Sequence, residues 1–176
     1  MTVTAEPLAL TVRADAVPAD GRRFRMEASA PERRDLADEL DIVEVVALSA
    51  DLALTPRAEG VFALVGEVAA TIVQADVVTL QPVHQSVREA IDMILVAAEK
   101  AESERPAPGS GEPADGEAPD LFSGGMIDLG TLVKEHLALG LDLYPRAPGV
   151  EFADHIEDDP AAEASPFAVL RGLKEE

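Results

Sequence analysis

The chain has 176 residues, enough for one ordinary domain with a buried core. Its 34 Asp and Glu against 14 Lys and Arg leave a net charge of −20, which argues against broad gripping of nucleic acid, because that affinity comes from counterion release at a basic surface. Cysteine is absent, which excludes disulfides and thiol chemistry, and aromatics are only 3%, so the core must be built from Val, Leu, Ile and Ala.

In chain order, PLALTV (7–12) reads as a short strand, followed by the turn-rich ADAVPADGRR and a second short strand at 24–26. SAPERRDLADEL then carries a helix start. Ser29 caps, Pro31 sits in the first turn and Glu32 completes a capping box, with Leu36, Ala37 and Leu40 on the buried side. The stretches 42–54 and 61–73 are dense in β-branched and aliphatic residues and flank the turn TPRAEG. On the second, Phe62, Leu64, Val68 and Ile72 share one face, as a half-buried strand requires. Together they predict a long antiparallel hairpin, with Gly66 marking a bulge or a close backbone approach.

The segment VHQSVREAIDMILVAAEK is two-sided. As a strand it puts Val83, Val87, Ile91, Met93 and Leu95 on one face; as a helix it puts Val83, Val87, Ala90, Ile91, Ile94 and Leu95 on one stripe. Periodicity alone leans to the helix. From 99 to 125 the chain is rich in Pro, Gly, Ala and acids and reads as a disordered internal loop within a single domain. MIDLGTLVKEHLALGLDLYP is a helix with Asp128 as N-cap, Leu129, Leu132, Val133, His136 and Leu137 at the helical period, and Gly140 and Pro145 bracketing its end. An acidic connector (151–164) leads to SPFAVLRGLK (165–174), where Ser165 caps, Pro166 suits the first helical position and Phe167, Leu170 and Leu173 share a face.

No phosphate loop, nucleophile elbow or HExxH zinc motif is present. His84, His136 and His155 are scattered. His155 lies among Asp154, Glu157, Asp158 and Asp159, whose spacing does not match a calcium loop. No catalytic residue, cofactor or metal ligand is assigned. MTVTAEPLAL lacks the basic start and apolar stretch of a signal peptide, and no run approaches the roughly 18 apolar residues of a membrane span, so a cytoplasmic location without a membrane partner is expected.

The C-terminal third carries a resemblance. IDLGTLVKEHLALGLDLYPRAPGVEF, with an Ile-Asp-Leu start, a leucine-rich helix and a proline-bearing exit, resembles the bacterial YceD family of large ribosomal RNA subunit accumulation proteins, and SPFAVLRGLK is similar to that family's closing motif. GEVAATIVQADVVTLQPVHQSV resembles its central hairpin, where many members carry a Cys-x-x-Cys knuckle before a Leu-x-Pro turn. Here Leu80, Gln81 and Pro82 keep the turn, while Asp76 and Thr79 stand at the cysteine positions; a second pair, expected near 150–155, is also missing. If the family's cysteines bind zinc, that site is lost here, and Thr79 offers no comparable donor beside Asp76.

The resemblance spans roughly 60–174 and implies that 83–96 is a strand. The expected fold is α+β: an antiparallel sheet of long central strands, open or barrel-like, with a short helix in the N-terminal half, a longer C-terminal helix and a short terminal one. The resemblance implies a noncatalytic role in large-subunit (23S) rRNA accumulation. The acidity suits a basic ribosomal protein or a pre-ribosomal particle as partner, with no DNA partner. Candidate partner-binding residues are Phe167, Leu170 and Leu173. Arg22, Arg23 and Arg25, with Arg33 and Arg34 nearby, are the candidate RNA contact, set against a plain solvated face. An adaptor unrelated to ribosomes and a small metal-dependent hydrolase are the alternatives.

Overall fold

In the computed structural model, residues 5–103, 119–147 and Gly149 are described. The scaffold is a meander of three long strands: β3 (Glu44–Ala58), β4 (Val61–Ala75) and β5 (Pro82–Ala97), paired antiparallel along almost their whole length. At one edge β2 (Arg22–Glu27) pairs antiparallel with β3, and at the other β6 (Asp120–Phe122) adds in parallel to the end of β5. The order β2-β3-β4-β5-β6 leaves two separate edges, so the sheet is open, and the barrel-like option is not what forms. The α+β class holds.

One face of the sheet carries the core. On β4 the even-numbered residues Phe62, Leu64, Val68, Ala70 and Ile72 are buried there, against Leu48, Leu52 and Leu54 of β3 and Val87, Ile91 and Leu95 of β5. Burying each Leu, Ile or Val contributes about 1.5–3 kcal/mol; on β5 the half-buried Glu89 stands between Val87 and Ile91 on this face, beside Gly140 at the end of the covering helix. The face is covered by α1 (Ala30–Glu39), α3 (Leu129–Leu139) and a small ribbon in which β1 (Thr11–Arg13) pairs antiparallel with β7 (Met126–Asp128). The cover is pinned by its own caps. The Glu32 carboxylate of α1 accepts from the Ser29 N–H at 2.8 Å, and Asp128 accepts from the Thr131 N–H at 3.0 Å at the start of α3.

Three expectations change in detail, and one open choice is decided. The strand expected at 7–12 is Thr11–Arg13, with Leu8 ahead of it as a buried plug. The turn expected over TPRAEG is only Glu59 and Gly60; the strand runs on to Ala58 past a register shift between Pro56 and Ala58, and Gly60 takes the positive φ the reversal needs. Segment 83–96 is strand, as the resemblance implied and periodicity alone did not. The structureless stretch expected at 99–125 holds structure at both ends: α2 (Ala98–Ser103) and β6, whose Phe122 ring meets Phe62 edge-on at 5.7 Å. The expected connector at 151–164 and terminal element at 165–174 lie outside the described residues.

Gly66 marks a close approach: a Cβ there would lie 2.2 Å from the Asp51 carbonyl oxygen and 2.8 Å from Leu52 Cδ2. Backbone cannot yield as a flexible side-chain tip can, so Gly66→Ala is expected to destabilise the chain by about 1–3 kcal/mol. A urea titration checks this, and an unchanged midpoint would mean that β3 and β4 are not held this tightly.

Candidate partner interface at the β4–β5 turn

The turn joining β4 to β5 is built around one carboxylate. Asp76 is fully buried. Its Oδ1 accepts from the N–H groups of Val78 (2.8 Å) and Thr79 (2.7 Å), and its Oδ2 accepts from the N–H of Ala147 (2.6 Å). The backbone completes the tie: the Asp76 N–H donates to Gln81 O, the Leu80 N–H to Asp76 O and the Val77 N–H to Pro145 O. Gln74 Nε2 donates to Asp142 O at 3.0 Å and Gln85 Nε2 to Gly140 O at 3.0 Å. Two segments far apart in sequence, the turn and the chain leaving α3, thus become one unit.

Asp76 stands where the first cysteine of the family's knuckle was expected, and the arrangement does not fit a metal. Both carboxylate oxygens are occupied by N–H donors, and the Thr79 hydroxyl lies 3.4 Å from the Gln81 N–H as its acceptor. Among the described residues no group of three or more His, Asp or Glu is arranged to hold a metal ion. The backbone donors, led by Ala147 and Thr79, outweigh burial and hold the Asp76 carboxyl at about 2, below its ordinary 3.8.

This unit displays apolar side chains to solvent. Leu80 is 77% exposed, Leu143 82% and Tyr144 74%, with Leu139 at the end of α3 at 76% and Val77 and Val78 partly exposed beside them. Leu80 also sits at φ +60°, a left-handed conformation unusual for a branched side chain and held by the Asp76 turn. Exposed apolar residues gathered on a locked turn, with a tyrosine among them, have the composition of a binding surface.

The family described as Large ribosomal RNA subunit accumulation protein YceD matches residues 64–174. The chain belongs to this family. No curated protein and no solved structure matches it. Every member of the apolar patch falls inside the matched YceD segment.

The residues singled out from sequence fare unequally. Phe167, Leu170 and Leu173 lie outside the described residues. Arg22, Arg23 and Arg25 do not form one surface, because neighbours on a strand point to opposite faces. Arg22 stacks over the Phe24 ring at 4.7 Å and pairs with Glu6 at 3.3 Å, on the core side of the sheet edge. Arg23 and Arg25 lie on the other face, where Arg25 stands in register with Asp51 and then Glu67. That face carries Ser49, Ala53, Ala69, Thr71 and Ala90 with the part-exposed Val65 and Ile94, and among the described residues its one ring is the His84 imidazole at the β4–β5 turn end, so it offers no row of rings on which successive bases could stack.

His84 is exposed, His136 places Nδ1 2.9 Å from Leu132 O within its own helix, and His155 lies outside the described residues. The hollow between Arg13, Asp15, Glu59, Phe62 and Phe122 contains neither a histidine nor a hydroxyl nucleophile, and Arg13 is paired there with Asp15. No helix among the described residues is long and apolar enough to cross a membrane. Sequence reasoning missed the patch itself; its signal was apolar residues in the turn strings DVVTLQP and LDLYP.

Because the folded chain holds Asp76 below its unfolded value, the charged carboxylate stabilises fully above the ordinary value near 3.8 and less as pH falls toward about 2. Asp76→Asn cannot accept through its amide nitrogen. The variant is expected to melt below wild type at neutral pH, with the gap narrowing as pH falls from about 5 to about 2. Denaturant melts across that range check this; a gap independent of pH would remove the charge from the explanation.

Proposed function

We propose that this chain is a noncatalytic assembly factor of the large ribosomal subunit that supports accumulation of its RNA by holding a basic ribosomal protein or a pre-ribosomal particle. The observation that carries the reading is the apolar patch locked by Asp76 inside the YceD-matched segment. Buried aromatic and aliphatic anchors supply most of the energy at protein interfaces, with charge selecting the partner and speeding encounter. Here the anchors are Leu80, Leu143 and Tyr144. The charge is the net −20 of the chain, which favours a lysine- and arginine-rich surface over phosphates. Direct RNA contact through Arg23 and Arg25 is the weaker mode, since acids stand in register beside Arg25 and both residues lie outside the matched segment.

The test is capture of the tagged chain from growing cells, with bound RNA and proteins identified. Large-subunit precursors are expected in the wild-type capture and are expected to fall about tenfold or more with Leu80→Ser plus Tyr144→Ser, whose exposed side chains make little contribution to folding. Arg23→Gln plus Arg25→Gln is expected to leave capture unchanged. Absence of precursors from the wild-type capture would overturn the assembly reading, and loss through the arginine pair alone would replace protein contact with RNA contact.

A further inference from the structure

The outer edge of β5 is open among the described residues. β4 lines one edge of β5 from end to end, whereas β6 covers the other only at Leu95–Ala97. The Ala97 N–H donates to Gly60 O at 2.8 Å, so Ala97 faces β4. Main-chain groups in an antiparallel strand alternate in direction. Odd-numbered residues of β5 therefore turn theirs toward β4, and even-numbered ones turn theirs outward. Beyond β6, the outward groups are those of His84, Ser86, Arg88, Ala90 and Asp92 and the N–H of Ile94, all of them on exposed residues; the Ile94 carbonyl already meets the start of β6. Pro82, which has no N–H to offer, opens the strand on this same outward register.

Beside this edge, on the core side, runs α3. Its C-cap Gly140 lies against Val87 and Glu89. A groove begins where β6 meets Leu95 and is lined by Leu121, Met126 and Leu132 together with Asp120, Asp128 and Glu135; no lysine or arginine lines it. The edge thus combines unpaired main-chain donors and acceptors, apolar footholds and acidic walls. Charges on an edge strand also discourage indiscriminate pairing. Arg88, however, is held by Glu67 at 2.8 Å across the open face, which leaves the acids to set the local charge.

We propose that this edge takes an extended, lysine- and arginine-bearing segment of a partner protein by strand addition, in line with β6. The main-chain bonds supply affinity, Leu121, Met126 and Leu132 receive alternate apolar side chains, and Asp120 and Glu135 select basic ones. The proposal rests on the reading that the chain binds a basic protein. It deepens that reading, because the edge leads from the groove back to the Asp76 turn and its patch.

The experiment uses the full chain and short synthetic peptides tiled across the large-subunit ribosomal proteins, read by fluorescence polarisation and amide hydrogen exchange. Basic peptides are expected to bind and to protect the amides of Ser86, Arg88, Ala90, Asp92 and Ile94. Ala90→Pro removes one outward N–H while leaving the β4 ladder intact, and is expected to weaken binding about tenfold or more. Glu135→Lys is a second variant, on the exposed side of α3, expected to weaken basic peptides selectively. The proposal is overturned if no tiled peptide binds, if bound peptides are not basic, if both variants bind as wild type does, or if these amides are already protected in the free chain by one of its own segments. Loss of peptide binding by Ala90→Pro, with precursor capture retained, would support the edge as a peptide site but overturn its role in precursor binding. Peptide binding with no precursor capture by wild type would overturn only the assembly reading.

Discussion

A single buried carboxylate, Asp76, decides what this molecule shows to its surroundings. Three main-chain N–H groups converge on it, two from its own turn and one from Ala147, beyond α3. A buried charge is tolerated only when its hydrogen-bonding capacity is met, and here the donors outweigh the cost of burial. The result is mechanical. Leu80 is held in a left-handed conformation with its side chain in solvent, and Leu143 and Tyr144 are brought beside the turn. Where the family pattern led one to expect a cysteine, this chain has Asp76, whose hydrogen bonds join the turn to the chain leaving α3.

The rest of the fold serves as a rigid base for that junction. Three long strands bury one face against α1, α3 and the small β1–β7 ribbon, while the other face carries mostly small and charged residues, with Val65 and Ile94 half-exposed among them and His84 at the turn end. The asymmetry leaves the most exposed apolar side chains, Leu80, Leu139, Leu143 and Tyr144, at an end of the sheet. An acidic chain with exposed aliphatic anchors suits a basic protein surface, where desolvated anchors and long-range attraction act together.

Much of this was legible in the residues, for identifiable reasons. The capping box at Ser29 and Glu32 and the N-cap at Asp128 are local, so both helices were found with their starts. The β3–β4 hairpin showed because Phe62, Leu64, Val68 and Ile72 keep strand parity. β5 resisted because its three buried residues, Val87, Ile91 and Leu95, are spaced by four, a step that fits one face of a strand and one stripe of a helix alike. β6 was invisible because three residues carry no period, and its place depends on Phe122 meeting Phe62. The arginine cluster divides between two faces because adjacency in sequence becomes opposition on a strand, which leaves Arg23 and Arg25 together and Arg22 apart. The apolar patch is assembled by a carboxylate contact between residues 76 and 147, and no local pattern can announce such a contact.

The central claim is that the chain meets the assembling large subunit through the surface held by Asp76. Its most direct test is a photo-crosslinking amino acid placed at Leu143 in growing cells, with the same probe at Arg25 for comparison, and the joined partner identified by mass spectrometry. The account predicts a lysine- and arginine-rich large-subunit ribosomal protein joined at Leu143 and little or nothing at Arg25. Crosslinks confined to Arg25, or crosslinks from Leu143 to RNA alone, would contradict it.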